Sequence, residues 1–520
     1  MEKVDKQKLA FSTKKSLCKR DEITTREIIL DGLMDIVENK IFSHIAINQL
    51  LSKHQELDKR DRAFVSRVII GTLEHLLEMD YIINQFSSIK VSKMKPVIRN
   101  VLRSGVYQLK YMDNIPPAAI CNEAVKIVKK RGPRNLTGFV NGNLRNIARN
   151  LEQLSYPTDQ MSMLEVQYSI PAWICKCWSE DYNFADWEGN PDWKKIEKIA
   201  KASQETRPLT IRVNVSKIQP KALKENLENH GITVKEHPYL DYAFKISGID
   251  YLEALEDFKE GNFYVQDVSS MLVAELANPS GNDTVLDLCA APGGKALHLA
   301  DKMLLVEDLA NRIARKSDGK KPEAGMVLAC DLTDKKIAVI QENITRAGFG
   351  NIKAVKKDAT ILDEEFVGKA EIVIADLPCS GLGILGKKPD LRYNTSMKNV
   401  EELVRLQRKI LTNACAYLKP QGILMFTTCT INPKENIENV KWLLEQFSDL
   451  QLIPIRDELP SKLKQEIEEQ REDQGKDFDF TQNAPLITNH IIQETLQLLP
   501  GIHDCDGFFI SKFRKISIDE

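Results

Sequence analysis

A chain of 520 residues, 42% apolar and 28% charged, is too long for one hydrophobic core and too apolar for a disordered polymer. At roughly 100–200 residues per domain, about three domains are expected. No apolar run reaches the ~18 residues that a membrane span needs. The net charge of −2 excludes little by itself, because the charges are unevenly spread.

The first twenty residues carry Lys3, Lys6, Lys8, Lys14, Lys15, Lys19 and Arg20 around no apolar stretch. They read as a flexible basic tail over 1–20, not a signal peptide. The ten cysteines are scattered along a long chain without a secretory segment. They read as reduced thiols, which places the protein in the cytoplasm.

From Thr24 to about Asn150 the pattern is helical throughout. Ile29, Leu33, Ile36 and Val37 share a face at helical spacing. Val97 to Tyr111 is a further helix; Pro116-Pro117 starts another, and Gly132-Pro133 stops it. Residues 21–150 therefore form an all-α domain. Between Lys90 and Arg149 stand thirteen Lys and Arg against two acids, Asp113 and Glu123. A surplus of that size favours a surface facing nucleic acid over an ordinary solvated face. Asp61-Arg62-Ala63-Phe64, Gly71-Thr72-Leu73, Gly105-Val106-Tyr107-Gln108-Leu109, Asn122-Glu123-Ala124-Val125 and Phe139-Val140-Asn141-Gly142-Asn143-Leu144-Arg145 follow in that order. Together they resemble the NusB-like RNA-binding domain. The resemblance implies RNA contact by the basic helices, with Arg131, Arg134 and Arg145 as phosphate-binding candidates; each is equally readable as a surface charge.

Residues 151–205 read as a helical connector. Its Cys175-x-Cys177 beside Trp173 and Trp178 lacks a second cysteine or histidine pair. It is taken as packing, and no metal is expected. In 206–261, Leu209, Ile211 and Val213 alternate as a strand, a helix runs from Pro220 to His230, and Val234 and Phe244-Lys245-Ile246 follow. This is a small α+β subdomain.

Residues 262–520 alternate strand and helix. Strands are expected at Val285–Leu288, Met326–Cys330, Ile352–Lys356, Ile372–Ala375 and Ile423–Phe426, which points to a parallel, doubly wound sheet. Leu304 to Gly325 lengthens the first crossover, and the acidic stretch Glu466 to Phe480 reads as a surface loop. Between the first strand and its helix lies Cys289-Ala290-Ala291-Pro292-Gly293-Gly294-Lys295. Glycines there admit a ligand close to the backbone, and the free N–H groups of the helix start favour a polar or negative ligand group. Such sheets bind ligands in the crevice outside the carboxyl ends of their strands. Four further polar termini fall at that edge: Asp331; Asp358; Asp376 with Pro378 and Cys379; and Thr427, Thr428 and Cys429. Asp331 is placed to accept hydrogen bonds from a cofactor ribose, and Asp358 to read an adenine amine. A lone Asp at a strand end is also an ordinary turn cap. Either cysteine alone would be a packing residue. As a pair at the rim of one crevice, one thiol can act as nucleophile while the other manages protons.

These words, together with Tyr264-Val265-Gln266-Asp267-Val268-Ser269-Ser270, Leu498-Leu499-Pro500-Gly501 and Asp506-Gly507-Phe508-Phe509, resemble the RNA cytosine-5 methyltransferases of the RsmB/Sun family over about residues 24–515. The NusB-like domain points to the bacterial branch acting on small-subunit (16S) ribosomal RNA. The resemblance implies a Rossmann-like methyltransferase domain, with S-adenosylmethionine held by 289–295, Asp331, Asp358 and Asp376. It implies Cys429 as the nucleophile at cytosine C6 and Cys379 as an aid to release through the C5 proton. Asp376 is further implied at the cytosine ring and Lys295 at the base. Thr430 replaces the commoner Ser, and the insertion at Leu304 to Gly325 stretches the spacing to Asp331. The expected partner is ribosomal RNA, without membrane or metal, and the expected state is a monomer. Two rival readings are the same chemistry on another RNA, such as transfer RNA, and a non-catalytic RNA-binding assembly adaptor. A DNA or small-molecule methyltransferase fits the basic helical stretch and the second cysteine less well.

Overall fold

The computed structural model describes residues 23–181, 184, 190–205, 207–249, 251–317, 324–473 and 486–517. The basic tail lies outside these residues. The chain divides into two compact units, one of Met1–Thr72 with Ile82–Glu152, the other of Leu73–Tyr81 with Gln153–Glu520.

The described part of the first unit is helical. Thr24 opens its first helix, Thr25–Leu33, through a capping box: its side chain accepts from the Glu27 N–H, while the Glu27 carboxylate accepts from the Thr24 N–H. Pro96 and Pro117 stand at the starts of Pro96–Tyr111 and Pro117–Arg131, where a missing N–H costs nothing. Leu33, Ile36, Val68, Leu102, Val106, Val128, Leu144 and Ile147 are buried at helical spacing. Helices Pro96–Tyr111, Pro117–Arg131 and Thr137–Asn150 pack on one another.

In the second unit, the stretch expected to be a connector holds three helices: Gln160–Gln167, Ala172–Ser179 and Trp193–Ala202. They are no loose linker. Leu164, Ile170, Ile174, Trp178 and Ile196 share a core with Leu382, Leu385 and Ile431, from the loops that follow Cys379 and Cys429. Cys175 is buried there and its thiol donates to the Ile170 carbonyl, a packing role.

The α+β subdomain is an antiparallel sheet of β1 (Leu209–Val213), β2 (Thr233–Glu236), β3 (Ala243–Ser247) and β4 (Phe263–Val265), ordered β2-β3-β1-β4. Strand β4 carries it a few residues beyond the expected limit of 261.

The large sheet contains β5 (Thr284–Asp287), β6 (Met326–Asp331), β7 (Ile352–Lys356), β8 (Ala370–Asp376), β9 (Leu418–Thr428), β10 (Leu450–Ile453), β11 (Leu496–Leu498) and β12 (Phe508–Lys515). Its order is β10-β12-β9-β8-β5-β6-β7, with β11 paired to β12. Strands β5 to β9 are parallel, as expected, but β12 runs antiparallel to both β9 and β10. The sheet is thus mixed rather than wholly parallel. An antiparallel strand needs no crossover helix, and β12 follows β11 as its antiparallel partner. The chain runs β5, β6, β7 in one direction and returns to place β8 on the other side of β5. That reversal puts the topological switch point between β5 and β8, where such sheets open a crevice.

One local expectation takes a definite form and one is corrected. The first crossover is one long helix, Gly294–Ser317, so the described part of the insertion extends a helix. The acidic stretch is helical over its described part, within Ser461–Asp473, because Leu463 and Ile467 give it an apolar edge that packs on the main core; residues 474–480 lie outside the described residues.

Candidate active site

The Gly-rich turn leaves the carboxyl end of β5 and curls over the end of β6. The Ala290 N–H donates to the Cys330 carbonyl at 2.8 Å, and the Gly293 N–H returns to the Ala290 carbonyl at 2.6 Å. Gly293 has φ +108°, a conformation that side chains resist. At Gly294 a Cβ would come within 3.2 Å of the Tyr264 ring. Asp331 closes the turn from the neighbouring strand: it accepts from the N–H groups of Ala291 (3.0 Å) and Leu332 (2.7 Å) and from Lys336 (2.9 Å). Part of its hydrogen-bonding capacity thus shapes the turn itself.

At the switch point, Asp376 ends β8 opposite Thr427 of β9. One of its oxygens accepts from the Thr427 hydroxyl at 2.9 Å and the other from Lys295 Nζ at 2.7 Å. The Lys295 ammonium also lies 5.1 Å from the centre of the Phe508 ring. Burial works against its charge, but Asp376, Asp287 and Cys429 outweigh burial and raise its pKa above the ordinary lysine value. Beside this pair, Asp287 ends β5 with 1% exposure and no hydrogen-bond partner for either carboxylate oxygen. Burial first, and then the Asp376 charge, push its carboxyl up to about 7, against the pull of Lys295.

The two rim cysteines meet: Cys379 Sγ and Cys429 Sγ are 3.4 Å apart. The hydrogen bond to Cys429, followed by burial, holds the Cys379 thiol well above its ordinary pKa. Their loops are laced together, since the Gly383 N–H donates to the Cys429 carbonyl and the Gly507 N–H to the Gly383 carbonyl. A Cβ on Gly383 would fall 2.1 Å from the Gly507 carbonyl oxygen, so only glycine permits this approach.

Comparison with known proteins finds three matched stretches of the chain. Family models match at residues 274–514 (16S rRNA methyltransferase RsmB/F), 23–149 (NusB family) and 170–249 (the ferredoxin-like domain of RsmF/B-like methyltransferases). Over residues 274–514 the chain carries the domain of the RsmB/F methyltransferase family. It is 29% identical over 495 residues to the probable ribosomal RNA small subunit methyltransferase B of Bacillus subtilis, covering 95% of this chain and 99% of that protein. It is 27% identical to the ribosomal RNA small subunit methyltransferase B of Cronobacter sakazakii, covering 95% and 100%. In fold it is similar to the crystal structure of PH0851, with TM-score 0.71 and 22% identity over 95% of this chain and 99% of that one.

Within this RsmB/F domain, Cys289 to Lys295, Asp331, Asp376, Cys379 and Cys429 all lie at the carboxyl edge of β5 to β9 or in the loops leaving it. Asp358, just beyond β7, is engaged in a local turn: one of its oxygens accepts from both the N–H (2.9 Å) and the hydroxyl (2.7 Å) of Thr360. Arg131, Arg134 and Arg145 lie instead in the NusB-like unit, all exposed. Arg131 is held by Asp31, with Nη2 at 2.5 Å from its carboxylate. The Arg134 Nε–H donates to the Lys129 carbonyl, and the Arg145 Nε–H to Asn141.

Sequence reading missed two residues that shape this site. Asp287 lay inside the expected strand Val285–Leu288, but a strand-ending Asp carries no sign of whether its carboxylate meets solvent. Arg212 stands between Ile211 and Val213 in β1, and it is fully buried. Its Nη1 donates to the Gln266 side chain (2.8 Å) and to the Gly294 carbonyl (3.0 Å), and its Nη2 to Asn214 (2.7 Å). A residue of the ferredoxin-like sheet therefore holds the Gly-rich turn.

Proposed function

We propose that this chain transfers a methyl group from S-adenosylmethionine to C5 of a cytosine in small-subunit ribosomal RNA, through a covalent bond between Cys429 Sγ and cytosine C6. The observation that carries this reading is the pair of thiols 3.4 Å apart at the rim of the crevice that also holds the Lys295–Asp376 pair.

The pocket residues fit the cofactor. S-adenosylmethionine is a cation that supplies an electrophilic methyl when bound. The buried, unpartnered carboxylate of Asp287 supplies a matching anion, and the Cys289–Lys295 turn with Asp331, Asp358 and Asp376 would complete the cradle. Carbon C5 of cytosine is too weak a nucleophile to react unaided. Cys429 Sγ adds to C6 and shifts the C5–C6 π electrons, so that C5 becomes enamine-like and able to attack. The two sulfurs lie within hydrogen-bonding reach, so one thiol can keep its proton against the other sulfur. The Cys429 thiol proton passes to solvent as its sulfur bonds to C6. After methyl transfer Cys379, its own proton likewise released, takes up the C5 proton; the C5–H electron pair re-forms the C5–C6 double bond and the Sγ–C6 bond breaks. The Lys295 ammonium and the Asp376 carboxylate lie where the base must enter and orient it. Selective recognition of RNA usually targets unpaired bases, and extracting one from a helix costs only a few kcal/mol. The exposed arginines of the NusB-like unit contact the RNA backbone, which sets affinity and register rather than sequence.

The test is transfer of labelled methyl from S-adenosylmethionine to unmodified small-subunit ribosomal RNA, followed by nucleoside analysis. Label in 5-methylcytidine is expected. Label entering transfer RNA alone would move the substrate, and RNA binding without any transfer would indicate an adaptor.

Asp287 gives a second expected result. Its carboxyl, raised from 3.8 to about 7, keeps a proton in the folded protein that the unfolded chain has already released. Cofactor-free stability should therefore fall as pH rises from about 4 to 7 and then level off. Asp287→Asn should remove that slope and stabilise the cofactor-free protein at pH 8, by up to about 4 kcal/mol. The same substitution should weaken S-adenosylmethionine about 10–100-fold, the worth of one hydrogen bond to a charged group. Denaturant titrations at pH 5 and pH 8, with calorimetric cofactor binding, measure both; an unchanged affinity would remove Asp287 from the cofactor pocket.

A further inference from the structure

The residues that directly follow the two cysteines are joined to each other. Ser380 Oγ and Thr430 Oγ1 are 2.8 Å apart, with exposures of 2% and 0%. Both belong to a buried network centred on Glu435, in the turn that leads into helix Ile437–Gln446. Glu435 has no exposed surface. One carboxylate oxygen accepts from the Ser380 N–H at 2.8 Å and from the Gln407 amide at 3.2 Å. The other accepts from the Ser380 hydroxyl at 2.5 Å. The same Gln407 amide donates to the Pro378 carbonyl at 2.9 Å, on the other side of Cys379. Asn439 fixes the assembly from behind, donating to Gln407 Oε1 at 2.8 Å and to the Glu435 carbonyl at 3.1 Å.

A buried carboxylate is costly, and burial raises the Glu435 pKa despite these donors. An apolar residue of similar size would fill the space more cheaply, but it would leave the Ser380 N–H without an acceptor and the Gln407 amide with only the Pro378 carbonyl. The network encloses Cys379 in sequence, through Pro378 and Ser380, and reaches Cys429 through Thr430.

We infer that Glu435 is a positioning residue: through Ser380, Thr430 and Gln407 it clamps the two cysteine loops so that Cys379 Sγ and Cys429 Sγ stay in contact. The inference rests on the two-thiol reading above for its catalytic consequence, but the clamp is measurable without RNA. Oxidation by diamide joins two neighbouring thiols as a disulfide, both losing a proton and the diazene being reduced to the hydrazine. The rate at which Cys379 and Cys429 join, mapped by peptide mass spectrometry, reports how well they are held together.

In Glu435→Ala this rate is expected to fall at least about ten-fold, and methyl transfer about 10²-fold, the scale of a 1 Å misplacement. Affinity for S-adenosylmethionine should stay within about three-fold, because the Cys289–Lys295 turn, Asp331 and Asp358 of the cradle stand on β5 to β7. Glu435→Gln should rescue most of both rates. Its amide oxygen can accept from Ser380 N–H and Gln407, and its NH2 can donate to a Ser380 hydroxyl that turns its own proton to Thr430. If Glu435→Ala does not fold, Thr430→Val carries the test, since it removes the Ser380–Thr430 bridge at constant shape and should slow cross-linking. Wild-type cross-linking in a folded Glu435→Ala or Thr430→Val protein would overturn the inference. So would Glu435→Gln failing as badly as Glu435→Ala, because the requirement would then be for charge. If instead the wild type cross-links rapidly but methylates no cytosine, the clamp stands and the proposed reaction falls.

Discussion

Replacing Cys429 by alanine is expected to lower methyl transfer to RNA by a factor on the order of 10⁴ or more, because removal of a nucleophile leaves only binding and orientation. Replacing Cys379 by alanine should have a different outcome. Attack at C6 and methylation of C5 would proceed, but the group that assists C5 proton removal would be gone, so the protein should remain bonded to the RNA. Turnover should fall about 10²–10⁴-fold, the usual contribution of a positioned acid or base. Labelled S-adenosylmethionine, unmodified small-subunit ribosomal RNA and a denaturing protein gel separate the two. Cys379→Ala should retain both label and RNA, and adding Cys429→Ala should abolish that band. An adduct from Cys429→Ala alone would exchange the two roles.

The second large effect is expected at Arg212, far from the thiols in sequence. Arg212→Met keeps much of the side-chain volume but removes every donor. The Gln266 and Asn214 side chains and the Gly294 carbonyl would lose hydrogen bonds in a dry interior. Hydrogen bonds from a charged donor contribute roughly 1.5–3 kcal/mol each, so a loss of about 3 kcal/mol or more is expected. Part of it should appear as weaker cofactor binding, since Gly294 lies in the turn. The attachment has a second point: Asp301, on the helix that follows the turn, accepts from the N–H groups of Val215 and Ser216, both at 2.9 Å. Unfolding curves and cofactor calorimetry on Arg212→Met measure the two parts. Normal cofactor affinity in a destabilised variant would make Arg212 a purely structural link between the two sheets.

Local chemistry made much of this protein legible. The turn from Cys289 to Lys295 was readable because a strand, a Pro-Gly-Gly break and a helix start are successive words in one stretch of chain. The helical first unit was readable from apolar spacing and from prolines at helix starts. The acidic stretch at 466 was misread for the converse reason: its high charge concealed Leu463 and Ile467, whose helical spacing is enough to seat one edge on the core. The antiparallel course of β12 left no trace in its apolar run, because a strand buried on both faces reads the same in either direction.

The sequence by itself determined the order of domains, the strands β5 to β9, the identity of the rim residues and, through ordered motifs, the family. Strand direction, burial and partners between distant segments were decided only by the tertiary structure. Lys295 meets Asp376 across 81 residues of chain and Cys379 meets Cys429 across 50, because parallel strands bring their carboxyl ends to one edge whatever their separation in sequence. Asp287, Arg212 and Glu435 are ordinary charged residues in a linear reading. They become consequential only where folding removes water from them, since a charge without solvent must find partners or shift its protonation.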